Sequence, residues 1–88
     1  MKVEFLSKFN KDLDKINLKS VKANVVKLVE LLEMSENLNN IPNLKKLQGF
    51  KSAYRVRIAD YRVGFFLEGN TVTMARIVDR KDIYKVFP

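Results

Sequence analysis

Two periods organise the apolar positions of this 88-residue chain. Val21, Val25, Leu28, Val29 and Leu32 recur at helical spacing, while Lys22, Lys27, Glu30 and Glu33 take the other side. This stripe predicts an amphipathic helix, capped near Ser20 and ending before Asn37. Upstream, residues 3–6 alternate briefly. They precede Ser7, a candidate cap, and then Phe9, Leu13 and Ile16 at helical spacing, which predicts a short strand followed by a short helix.

Past the long helix the period changes. Residues 36–43 are rich in Asn and contain Pro42, so they predict a loop rather than a domain linker. Residues 44–47 predict a strand before a turn at Gly49, followed by strands at about 53–58, 61–67 and 71–78. A two-residue turn at Ala59 and Asp60 sets Arg57 opposite Arg62 and Arg55 opposite Gly64. A second turn at residues 68–71 pairs Leu67 with Val72 and Phe65 with Met74. One sheet face then carries Tyr54, Val56, Ile58, Val63, Phe65, Leu67, Val72 and Met74, a surface large enough to receive both helices. Arg55, Arg57 and Arg62 fall on the other face. Arg76 falls on the apolar face in this register, a conflict that either a bulge or a reach around the sheet edge resolves. The tail from Arg80 predicts a short helix capped by Asp79 and anchored by Ile83 and Phe87, with Tyr84 one turn beyond Arg80.

The expected architecture is therefore α+β, with two N-terminal helices on a small twisted antiparallel sheet and a short C-terminal helix. At this length it forms a single domain spanning residues 1–88. Seventeen Lys and Arg against ten Asp and Glu leave a net charge of +7, which favours nucleic acid, an acidic protein or an anionic membrane as partner. Apolar stretches are too short to span a bilayer and the start has no signal-peptide pattern, so no membrane role and a cytoplasmic location are expected. With neither cysteine nor histidine, disulfides, thiol nucleophiles, imidazole acid/base chemistry and the usual zinc ligand sets are excluded.

Like charges directly opposed across a sheet are destabilising, so Arg55, Arg57 and Arg62 on one face imply a compensating anion or a solvated surface. Phosphate is the obvious anion. RNA cleavage needs no protein nucleophile, because the adjacent ribose 2′-hydroxyl attacks the phosphorus once it is oriented and the developing charge is stabilised. Arg57 and Arg62 suit the scissile phosphate. Tyr84 can stack on a base or pass a proton to the leaving oxygen. Lys45, Lys46, Lys51 and Lys81 are candidate RNA contacts, and candidate bases if crowded cations lower their pKa. No metal ligand set or cofactor is called for. Such a sparse site gains most when another body orients its substrate. Each feature also has a plainer reading: the arginine face as a solvated surface, Tyr84 as packing beside Ile83, and the helix stripe as core with part of an apolar groove left for a partner.

Taken in order, Leu44-Lys45-Lys46-Leu47-Gln48-Gly49, Tyr54-Arg55-Val56-Arg57, Asp60-Tyr61-Arg62-Val63 and Asp79-Arg80-Lys81-Asp82-Ile83-Tyr84 resemble the RelE/ParE superfamily of bacterial and archaeal toxins. The resemblance covers nearly the whole chain. It implies the toxin of a type II toxin–antitoxin system with the superfamily's α+β fold. On its RelE-like branch this is an mRNA interferase, a ribosome-dependent endoribonuclease that blocks translation by cutting mRNA in the A site. By matched motif the branch's catalytic positions fall on Arg55, Arg57, Arg62, Arg80 and Tyr84. Implied partners are the ribosome, mRNA and a cognate antitoxin, an acidic and partly disordered chain that folds on binding in a hetero-oligomer. Here the strand pair is Arg-x-Arg where the best-known branch has Lys-x-Lys, which removes that branch's favoured base, and Asp79 and Asp82 dilute the local charge. The resemblance leaves two alternatives: a ParE-like toxin that inhibits DNA gyrase without RNA cleavage, and a degenerate member that binds only its antitoxin and DNA.

Overall fold

The computed structural model describes residues 1–88. Strand β1 (Lys2–Phe5) leads into helices α1 (Ser7–Asp14) and α2 (Lys19–Met34), then strands β2 (Leu44–Lys46), β3 (Ala53–Ile58), β4 (Tyr61–Glu68) and β5 (Thr71–Asp79), and finally helix α3 (Ile83–Val86). The five strands form one sheet in the order β1-β5-β4-β3-β2. Neighbours from β2 to β5 are antiparallel, as a chain of short hairpins requires, but β1 lies parallel to β5, so the sheet is mixed rather than wholly antiparallel. The crossover formed by α1 and α2 permits this, because a parallel neighbour needs a long connection over one face.

The expected hairpin registers are present: Arg57 faces Arg62, Arg55 faces Gly64, Leu67 faces Val72 and Phe65 faces Met74. The apolar face packs under α1 and α2. Phe9, Val21, Val25, Leu28 and Leu32 from the helices meet Val56, Ile58, Val63, Phe65, Val72, Met74 and Ile77 from the sheet. Burying a side chain of this class contributes about 1.5–3 kcal/mol, so this contact is the main source of stability. A smaller cluster of Leu47, Ala53, Ala75, Ile83 and Phe87 holds α3 against the opposite face.

Beyond Met74 simple alternation fails. Gly64 pairs with Arg76 while Phe65 pairs with Met74, which leaves Ala75 as the extra residue of a bulge in β5. The bulge turns Ala75 into the smaller cluster and brings Ile77 back to the main core. Arg76 then reaches past the edge of β5 that β1 no longer covers, so bulge and edge act together. There its Nε and Nη2 donate to the carboxylate of Asp12 at 2.7 and 3.0 Å, and the backbone N–H of Ile77 donates to the same carboxylate at 3.1 Å. Asp12 is the one buried charged residue. The bond to Asp12 raises the Arg76 pKa against the opposing effect of burial.

The expected caps are displaced. Ser7 and Ser20 lie inside the first turns of α1 and α2, whose N-cap residues Leu6 and Leu18 make no side-chain capping bond. Asp79 does not cap a helix starting at Arg80, since it is still paired with Tyr61 at the end of β5. Its Oδ1 accepts from the Lys81 N–H at 3.0 Å across a turn, and the helix begins only at Ile83. Tyr84 is therefore not one helical turn from Arg80. No helix in the fold is long and apolar enough to cross a membrane.

Candidate nucleic-acid interface

The face opposite the helices is built from two rows of like charge. Lys45, Arg55 and Gly64 align across β2, β3 and β4, and in the next row Arg57 stands against Arg62. Lys45, Arg55, Arg57 and Arg62, with Asn43 and Leu44, line an open hollow of about 340 Å³. None of Lys45, Lys46, Arg55, Arg57, Arg62 or Arg80 is in an ion pair with a carboxylate. The acidic residues expected to dilute the charge are engaged elsewhere: Asp79 accepts from Lys81 and Asp82 stands 3.7 Å from Lys85.

Each guanidinium is pinned on one side and free on the other. Arg62 donates through Nη1 to the carbonyls of Ala59 at 3.1 Å and Tyr61 at 2.9 Å, which leaves Nε and Nη2 unused. Arg57 donates through Nη2 to Asn43 Oδ1 at 3.4 Å. Arg55 donates through Nε to the Tyr84 hydroxyl at 2.8 Å. The remaining N–H groups match the two-pronged geometry by which arginine holds a phosphate. Because Arg55 donates to the phenol oxygen, the Tyr84 O–H proton is free to point outward.

The electrostatic cost is visible at Arg62. Partial burial lowers its pKa, and repulsion from Arg55, Arg57 and Arg80 lowers it further. An anion in the hollow relieves that repulsion. The Ala59 turn that carries Arg57 and Arg62 has a positive φ of 53°, and so does Asn43 at 61°. Both lie in the left-handed region, which Asn tolerates and Ala does so only at a cost.

The structure thus gathers Lys45, Arg55, Arg57, Arg62 and Tyr84 at one place. Arg80 stands close enough to act on Arg62, and its N–H donates to the carbonyl of Asp60 at 2.9 Å. Lys46 lines an adjoining hollow with Lys45, Arg55 and Tyr84. Lys51 and Lys81 line neither hollow. Two residues were missed. In the sequence Asn43 stands out only as a loop residue, yet its side chain and carbonyl both hold Arg57. Phe50 is half-exposed in the adjoining hollow. Its signal in sequence was an aromatic directly beside Lys51, close to Lys45 and Lys46. No group of three or more His, Cys, Asp or Glu side chains that could hold a metal ion is present.

Comparison with known proteins gives the family and the fold. The family model described as ParE toxin of type II toxin–antitoxin system, parDE, matches residues 3–84. The curated protein Toxin RelE3 of Methanocaldococcus jannaschii is 41% identical over 44 residues, a stretch that spans half of this chain and half of that protein. A chain of the RelB–RelE antitoxin–toxin complex from Methanococcus jannaschii superposes with a TM-score of 0.83 at 30% identity, covering 97% of this chain and 99% of that one. The archaeal RelE–RelB complex of Pyrococcus horikoshii OT3 gives a TM-score of 0.75 at 21% identity, over 93% and 97% of the two chains, which bears on the fold alone.

Proposed function

Because the chain belongs to the ParE toxin family of type II toxin–antitoxin systems, within the RelE/ParE superfamily, we propose that it is a RelE-like toxin that cuts mRNA in the ribosomal A site. The observation that carries this reading is the facing of Arg57 and Arg62 beside an Arg55 bonded to the Tyr84 hydroxyl. The guanidinium groups stand opposed with N–H groups unused and no carboxylate paired to them, an arrangement suited to an anion such as phosphate.

In the proposed reaction the ribose 2′-hydroxyl gives up its proton to solvent water as its oxygen forms a bond to the adjacent phosphorus, the bond from phosphorus to the 5′-oxygen breaks, and a 2′,3′-cyclic phosphate is left. Arg57 and Arg62 hold the nonbridging oxygens and stabilise the added charge. Tyr84 gives its proton to the departing 5′-oxygen while Arg55 stabilises the phenolate left behind. Arg80 adds positive charge from the C-terminal side. With arginine in both strand positions no side chain here is a strong base near neutrality, so the ribosome supplies much of the rate by holding the 2′-oxygen in line. The chemistry uses guanidinium charge in place of a metal.

The partner proposed for this toxin is a cognate antitoxin. The likeness to a chain of an antitoxin–toxin complex supports it. So does the groove of Leu28, Leu31, Val56, Ile58 and Pro42 between α2 and β3, with Lys27 and Arg57 among the residues lining it, which suits an acidic amphipathic segment. The second reading is gyrase inhibition without RNA cleavage, kept because the matching family carries the ParE name. Primer extension on mRNA held by programmed ribosomes, with a ribosome-free control and Arg62→Ala, separates the two. A-site cuts that require both the ribosome and Arg62 support the nuclease; no cuts from folded protein, with inhibition of gyrase supercoiling, support the second reading.

A further inference from the structure

Beside the phosphate hollow lies a second one of about 480 Å³, lined by Lys45, Lys46, Gln48, Phe50, Arg55 and Tyr84 and backed by the buried Phe87. It contains two large exposed aromatic side chains, Phe50 at 50% and Tyr84 at 62%. Neither ring is paired with another aromatic, whereas Phe5 packs tilted on Phe9, Tyr54 stacks on Phe65 and Phe66 packs tilted on Phe87. Phe50 is held at the tip of the β2–β3 loop by the Gly49 turn, at φ 82°, and by the bond from its N–H to the carbonyl of Leu47 at 3.4 Å. The ring is thus presented to solvent on a short closed turn, with nothing in the fold to cover it.

Three further features select the occupant. No Asp or Glu side chain lines the hollow, Lys45, Lys46 and Arg55 make it cationic, and Gln48 brings an amide able to donate and accept at a base edge. Lys45 and Arg55 line both hollows, so the two are continuous. A nucleotide, with its phosphate joined to its base through the sugar, suits an anion site that opens directly onto an aromatic one. Aromatic faces on a basic surface are the usual means of holding unpaired bases.

We propose that this hollow is a nucleobase subsite in which Phe50 and Tyr84 hold one unpaired RNA base next to the phosphate on Arg57 and Arg62, with Gln48 reading its edge. This rests on the RNA-cleaving reading of the adjoining site and adds Phe50 to it as a binding and specificity residue. Phe50 touches the base and leaves the reacting atoms to the arginines and Tyr84.

The test uses antitoxin-free full-length protein and a short single-stranded RNA made uncleavable by a 2′-O-methyl group. The base beside the blocked position is 2-aminopurine or is absent. Stacking predicts quenched 2-aminopurine fluorescence and binding at least about 5-fold tighter than to the abasic RNA. Phe50→Leu, which keeps an apolar side chain without a π-face, should remove most of that difference and leave abasic binding unchanged, and Phe50→Trp should keep it. Equal binding of the two RNAs, including no binding of either, overturns the subsite, as does a difference that survives Phe50→Leu. Primer extension on programmed ribosomes runs alongside. Cuts with no base-dependent difference sink the subsite alone, and a base-dependent difference without cuts keeps the subsite and sinks the nuclease.

Discussion

The ring of Phe87 occupies the space that a side chain on Gly64 would need. A Cβ placed on Gly64 would come within 2.5 Å of Phe87 Cδ2 and 2.6 Å of its Cγ. Gly64 lies between Arg55 on β3 and Arg76 on β5, so its missing side chain lets the C-terminal segment lie flat on the sheet. That contact, with Phe66 at 4.9 Å between ring centroids, places Tyr84 over Arg55. Gly64→Ala should lift Phe87, cost about 1–3 kcal/mol in denaturant melts, and lower cleavage through Tyr84. An unchanged melt and unchanged cleavage would show that the notch does not position Tyr84.

Arg62→Gln should part activity from stability. Removing a donor aimed at transition-state charge costs about 10²–10³ in rate. The lowered pKa means that folding opposes the charge on Arg62, mainly through burial and then through Arg55, Arg57 and Arg80. A depressed cation destabilises the fold at every pH below its folded pKa, which for arginine covers the whole ordinary range. The variant should therefore melt at the same or higher temperature, by up to about 1 kcal/mol, with no pH dependence between pH 5 and 9. Added phosphate should stabilise the parent protein more than the variant. Calorimetric scans with and without phosphate measure both effects.

Tyr84→Phe keeps the ring and removes the hydroxyl bonded to Arg55. If Tyr84 protonates the leaving oxygen, the rate should fall about 10²- to 10⁴-fold on programmed ribosomes, with stability unchanged because the side chain is exposed. A loss confined to KM would assign Tyr84 to binding instead.

Asp12→Ala should be damaging although it lies far from the site. It leaves the Arg76 guanidinium and the Ile77 N–H without their acceptor, at a cost of about 2–4 kcal/mol in chemical denaturation. The raised Arg76 pKa means that this charge contributes stability at every pH below the ordinary arginine value, lost only as pH rises through the still higher folded one. Stability from Arg76 should therefore be constant through mildly alkaline pH. Arg76→Met, which leaves the more deeply buried Asp12 carboxylate with only the Ile77 N–H, should cost at least as much.

Ala59→Gly tests the strain in the turn that carries the two facing arginines. At φ 53° an alanine is disfavoured and a glycine is not, so the variant should be stabilised by about 0.5–1 kcal/mol. The Ala59 carbonyl that accepts from Arg62 remains, and cleavage should stay within about twofold.

Periodicity in the chain was enough to specify α2, the β3–β4 and β4–β5 hairpins with their registers, the apolar sheet face and the facing of Arg57 and Arg62, because each depends on neighbours a few residues away. The charge of +7 and the missing cysteine and histidine narrowed the chemistry in the same local way. Only the tertiary structure decided the parallel docking of β1, the bulge at Ala75, the partner of Arg76 and the seat of Phe87 on Gly64. Arg76 shows why. Alternation assigned it to the core, yet its carboxylate partner is 64 residues earlier and becomes available only where β1 ends and leaves the edge of β5 open. Arg55 is alike: its place in the strand was legible, but its bond to Tyr84, 29 residues on, depends on a glycine that lets the tail lie down. Local pattern determines which face a residue takes, and packing between distant segments decides what it meets there.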